Sequence, residues 1–114
     1  MTTFDYVTVD VFTQTRFGGN PLAVILDARG MSDAQMLQVA AEFNYAESTF
    51  VLPPEDPAST AQVRIFTRAQ EVPFADHPNV GTGYVLAQMP AVFGQATGAT
   101  LRFKEKTGLV TVDV

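Results

Sequence analysis

The chain has 114 residues, 46% of them hydrophobic and 17% charged, with no cysteine, a single histidine and a formal net charge of −5. That length supports one hydrophobic core, and the lack of cysteine excludes disulfides, thiolate catalysis and zinc–cysteine sites. The acidic balance argues against nucleic acid or an anionic membrane surface as partner, and no apolar run approaches the roughly 20 residues of a membrane helix.

Thr3 to Phe12 alternates, with Asp5, Val7, Val9 and Val11 on one face and Phe4, Tyr6, Thr8, Asp10 and Phe12 on the other. This predicts a strand with a core face. A strand beginning at Thr3 leaves no room for a signal peptide, so a cytoplasmic protein is expected. Gln14 to Asn20 reads as a loop with a Gly18-Gly19-Asn20 turn. Pro21 to Leu26 reads as a short apolar strand with its proline at the start. Ser32 and Gln35 carry the capping-box pattern. The helix they open runs to about Phe43, with Met36, Val39, Ala40 and Phe43 on its buried stripe.

Glu47 to Leu52 is the next expected strand, ended by Pro53-Pro54 and followed by a polar, proline-rich loop over residues 53–60. Ala61 to Arg68 is another strand, and Val72-Pro73-Phe74 a short edge piece. A second helix runs roughly from Pro78, suited to a first turn, to Gln88. Val80, Tyr84, Val85, Leu86, Ala87 and Met89 leave it little polar face, so it is expected to be surrounded by protein. Gly81 and Gly83 each weaken a helix by roughly 1 kcal/mol relative to alanine, and close approach of neighbouring backbone would account for them. A helix threaded through a curled sheet satisfies both observations. Met89 to Thr100 reads as a loop. Leu101 to Lys106 and Leu109 to Val114 form a hairpin about Thr107-Gly108, so the chain stops inside a strand. Roughly seven strands and two helices make an α+β domain.

Three places could do chemistry. Glu47 is either a solvent-facing strand residue or a general acid–base whose pKa is raised by partial burial. His77, at a helix start, either caps and hydrogen-bonds locally or orients a substrate and relays a proton. One histidine without cysteine cannot build a usual zinc site, so no metal is expected. Free backbone N–H groups of Asn79, Val80 and Gly81 would bind an anion, helped by the helix dipole. Asp76 competes with that role, because a capping carboxylate repels an anionic ligand. Gly81-Thr82-Gly83 lies inside a helix and is no dinucleotide fingerprint. Glu47 and His77 are the candidate acid–base pair.

Tyr6-Val-Thr-Val-Asp-Val-Phe12, Phe17-Gly-Gly-Asn-Pro-Leu-Ala-Val24 and Ala41-Glu-Phe-Asn44 are followed by Glu47-Ser-Thr-Phe-Val51 and Arg64-Ile-Phe-Thr67. Val72-Pro-Phe-Ala75, His77-Pro78, Gly81-Thr82 and Thr107-Gly-Leu-Val110 complete the series. In this order the segments resemble the N-terminal half of the phenazine-biosynthesis PhzF-like isomerase family. The resemblance implies a diaminopimelate-epimerase-like half-domain over residues 1–114, a curled, mostly antiparallel sheet around a central apolar helix, with the family's second domain absent. It implies an active site in the cleft between two halves, where Glu47 moves a proton on a small anionic carboxylic acid without metal or cofactor. His77 lines that cleft, and Asp76, Asn79, Val80, Gly81 and Asn20 lie at the substrate. The family has glycine where this chain has Asp76. A position needing φ > 0, or one lying against the substrate carboxylate, would not suit an aspartate. Half of a pseudo-symmetric fold leaves a face uncovered. The cleft is therefore expected to be completed by a homodimer or by a missing domain; the rival expectation is an inactive fragment or a binding and scaffold module.

Overall fold

The computed structural model describes residues 4–11, 20–54, 60–72, 76–89, 91–93, 95–96, 100–105 and 108–113. Six strands carry the main sheet: β1 (Tyr6–Val11), β2 (Asn20–Ile25), β3 (Glu47–Leu52), β4 (Ala61–Phe66), β8 (Thr100–Glu105) and β9 (Gly108–Asp113). The short β5 (Glu71–Val72) adds to β4, while β6 (Ala91–Val92) and β7 (Gln95–Ala96) form a separate small hairpin. The helices are α1 (Asp33–Phe43) and α2 (Asp76–Ala87). Strand order is β1-β2-β3-β4-β8-β9. Pairing is antiparallel except at β2/β3 and β4/β8, which are parallel. Each parallel pair is joined by a connection that contains a helix, as parallel strands require.

Helix α1 forms where its caps say it should. The Ser32 hydroxyl accepts from the Gln35 N–H at 3.1 Å, and the Gln35 side chain accepts from the Ser32 N–H at 2.9 Å. Asn44 closes the helix in the left-handed conformation, φ 57°, donating its N–H to the Ala40 carbonyl, a conformation asparagine adopts more readily than most residues. Met36 and Ala40 are buried, while Val39 and Phe43 are half-buried.

Two cores lie on opposite faces of the sheet. Ile25, Phe50 and Phe66 face α1 through Met36 and Ala40, with the Phe50 and Phe66 rings edge-to-face at 5.3 Å. Leu22, Val24, Val51, Val63, Ile65, Leu101 and Phe103 surround Val85 and Leu86 of α2. Helix α2 touches β1 and β9, the two ends of the strand order, as well as β2 and β3. The sheet therefore wraps around it. On the α1 side, Arg64 of β4 reaches Glu71 with two nitrogens at 2.8 and 2.9 Å and Asp33 of α1 with a third at 2.7 Å.

Several expectations need correction. The second helix begins at Asp76, two residues before the expected Pro78. It is not enclosed all round, because Tyr84 is 60% exposed. The expected loop from Met89 to Thr100 contains the β6/β7 hairpin. Phe93, at its tip, has φ 48°. Its ring packs against the α2 core and lies 5.5 Å beneath the Arg29 guanidinium, contacts that offset a conformation costing roughly 1–2 kcal/mol. Strand β4 stops at Phe66, where Thr67 turns the chain by bonding Gln70. The expected Gly18-Gly19 turn, the middle of the proline-rich loop, Pro73-Phe74 and Thr107 lie outside the described residues. No helix among those described is long and apolar enough to cross a membrane.

Candidate active site

Glu47 opens β3 and is half-buried. Strand alternation puts Glu47, Thr49 and Val51 on one face, the face that holds α2, since Val51 packs in the α2 core. Ser48 and Phe50 point the other way, toward α1. Across the interface, Thr49 Oγ1 and Thr82 Oγ1 of α2 are hydrogen-bonded at 2.8 Å, both completely buried.

This contact fixes how strand and helix are aligned. Val51, two residues beyond Thr49, shares a cluster with Val85 and Leu86, which follow Thr82 along α2. As part of the connection that returns the chain from β4 to the parallel β8, α2 runs back against those strands and so in the sense of β3, which is antiparallel to β4. Two strand residues or four helix residues each cover about 6–7 Å. Glu47 precedes Thr49 by two strand residues, and Pro78 precedes Thr82 by about one helical turn, in the first turn of α2 with Asp76, His77 and Asn79.

Asn20 opens β2, paired with Val11 of β1. It comes two residues before Leu22, the register partner of Glu47, so the alternation assigns its position to the face of Leu22 and Glu47. The side chains of Asn20, Asp76, His77, Asn79 and Val80 lie outside the described residues. Asp76, His77, Asn79 and Val80 occupy the first turns of α2, and Asn20 the first position of β2.

The helix start also determines which amides are available. With Asp76 as the first helical residue, the N–H groups of Val80 and Gly81 stand in the ladder, opposite the carbonyls of Asp76 and His77 four residues back. Among the described residues, the first-turn N–H groups without an intrahelical acceptor include those of Asp76 and His77, while Pro78 has no N–H. Asp76 itself is helical, so its φ is negative. Two described arginines are engaged elsewhere: Arg29 pairs with Asp27, and Arg64 lies on the α1 face, paired with Asp33 and Glu71. The hydrogen bonds that Arg64 donates to Glu71 and then to Asp33 raise its guanidinium pKa above the ordinary value. A groove of about 790 Å³ lined by Phe4, Met31, Gln35, Val39 and Phe43 lies along α1, on the opposite side of the sheet from Glu47.

Sequence reading missed Thr49, Thr82 and Glu105. The two threonines were legible as inward positions: one is two residues after Glu47, the other four after Pro78. Only the fold shows that they meet. Glu105 is 4% exposed and continues the Leu101, Phe103 face of β8, at a level displaced from Glu47 along the sheet.

A mixed α+β domain with this topology is shared with solved proteins of one kind. A phenazine biosynthesis protein of the PhzF family from Enterococcus faecalis superposes with a TM-score of 0.86 at 27% identity, over 99% of this chain and 41% of that one. The structure of a predicted epimerase from Pseudomonas aeruginosa gives 0.82 at 33% identity, over 96% of this chain and 37% of its own. The chain belongs to the phenazine biosynthesis-like protein family, PhzC-PhzF, whose model matches residues 9–114. Among curated relatives, an uncharacterized isomerase of Mesorhizobium japonicum is 47% identical over 94 residues, which span 82% of this chain and 31% of that protein. The trans-2,3-dihydro-3-hydroxyanthranilate isomerase of Pseudomonas fluorescens is 46% identical over 82 residues, 72% of this chain and 29% of its own length. The match thus spans under a third of either relative.

Proposed function

We propose that this chain provides one half of a cofactor-independent isomerase site, in which Glu47 takes a proton from one carbon of a small carboxylic acid and a proton is returned at another. The observation that supports this reading is the buried Thr49–Thr82 bond, which ties the strand opened by half-buried Glu47 to α2, and from it we infer that Glu47 stands level with the first turn of that helix. The carboxylate of the substrate sits at that turn, held by the amides of Asp76 and His77 and by the helix dipole. His77 and Asn20 border the bound acid, with Asn79, Val80 and Gly81 behind them. The half is of the diaminopimelate-epimerase-like kind, and a second copy of the chain, or a second domain, closes the cleft.

The test is hydrogen exchange in D2O with trans-2,3-dihydro-3-hydroxyanthranilate, the acid named for the relative above. Proton NMR should record deuterium entering the carbon skeleton, and Glu47→Gln should slow this by about 10²-fold or more. Exchange that persists in Glu47→Gln, or that is absent in the parent, sinks the reading.

A second reading, a binding module that keeps the fold without the chemistry, is favoured by Asp76. It sets an aspartate at the helix terminus where the substrate carboxylate would dock. Asp76→Gly should then gain affinity for carboxylic acids without gaining exchange.

A further inference from the structure

We propose that the Thr49–Thr82 hydroxyl pair is a positioning latch that sets the height of the α2 first turn against Glu47. The inference rests on the acid–base role proposed for Glu47. Filling the space does not require two hydroxyls, since valine has nearly the same shape. Replacing both partners of a buried hydrogen bond by apolar groups is close to neutral in stability. What the bond adds is a strict distance and direction, which contacts between apolar side chains do not impose.

Helix α2 has particular need of such a constraint. Thr82 is flanked by Gly81 and Gly83, both buried. Glycines offer no side chain to interlock with the strand residues opposite, so this stretch has little of the ridge-and-groove register that fixes most helices. The bond at 2.8 Å is a buried polar contact between α2 and the sheet, and it is made from a residue one pleat away from Glu47. Slippage of α2 along β3 would move the first-turn amides of Asp76 and His77 relative to the carboxylate. Thr49 and Thr82 are accordingly positioning residues, acting through Glu47 and the helix start without touching substrate.

The experiment compares the whole chain with Thr82→Val, Thr82→Ser and the double variant Thr49→Val/Thr82→Val. Three readouts are taken: NMR titration of the Glu47 carboxyl, the amide shifts of Asp76, His77 and Asn79, and urea unfolding. Thr82→Val is expected to lose stability and to displace both NMR signals, while Thr82→Ser keeps them. The double variant decides the matter, since it leaves no orphaned hydroxyl. It should regain stability yet keep the displaced Glu47 titration and first-turn amides. If those signals return to the parental positions along with stability, the pair is ordinary core packing and the proposal is overturned. Where D2O exchange is measurable, Thr82→Val should lower kcat on the order of tenfold or more with KM little changed, rescued by Thr82→Ser. Absence of exchange in the parent overturns the acid–base reading alone, and the NMR signals still decide the latch.

Discussion

Ser48 follows Glu47 directly in sequence yet lies on the far face of β3, between register partners Ala23 and Phe66. It is fully buried, and its hydroxyl has no hydrogen-bond partner among the described residues. An orphaned buried hydroxyl carries a desolvation cost of about 1–3 kcal/mol. Ser48→Ala is therefore expected to raise the urea midpoint, by roughly 1 kcal/mol of stability and with an unchanged m-value. A lowered midpoint would show that the hydroxyl has a partner it needs. Glu47 and Ser48 together illustrate how a one-residue step in a strand separates two environments. At Asp76 the conformational objection disappears, because a helical residue needs no glycine. The electrostatic objection stands, because a carboxylate at that position opposes an anionic ligand.

Arg64 shows what a single side chain does between elements. It joins β4, β5 and the first turn of α1 through Glu71 and Asp33. The Asp33 side chain is 81% exposed and the Glu71 side chain only 13%, so the two arms differ in value. An exposed pair contributes about 0–1 kcal/mol, whereas a charged hydrogen bond at a mostly buried partner contributes about 1.5–3 kcal/mol. Arg64→Ala is expected to cost about 2 kcal/mol in chemical denaturation and Asp33→Ala less than about 1 kcal/mol. Equal losses would contradict this division. The same scale explains what was legible in the sequence. Helix α1 could be read from its ends, because Ser32, Gln35 and Asn44 act through bonds spanning only a few residues. The strands β1 to β4 could be read from runs of Val, Ile and Phe. The start of α2 was placed late because Pro78 fits several first-turn positions equally well. The β6/β7 hairpin has two residues per strand, too few to show a period. The Thr49–Thr82 bond spans 33 residues, and no local pattern encodes which inward positions meet. The strand that Glu47 opens was legible from its pattern, but the α2 face on which Glu47 lies was not.

At the scale of the whole molecule, the wrapped sheet leaves one side of α2 uncovered at Tyr84. Relatives are matched over less than a third of their length, so much of what surrounds this domain in them has no counterpart in the matched segment. If a second copy completes the cleft, light scattering across a tenfold concentration range should give the mass of a dimer. Tyr84→Asp should shift it toward monomer if that exposed side forms the contact. A monomer at every concentration would leave the domain-completed cleft or the binding module. The enclosure of α2 has another result, in the cooperativity of the molecule. A helix of 12 residues with two glycines and a proline has almost no tendency to exist in isolation. It is ordered only because strands from both ends of the sheet close on it. The alignment proposed for its first turn and Glu47 therefore depends on the folded whole. Any opening that releases α2 would dissolve the proposed site in the same event, so ligand affinity and amide protection of α2 are expected to rise and fall together.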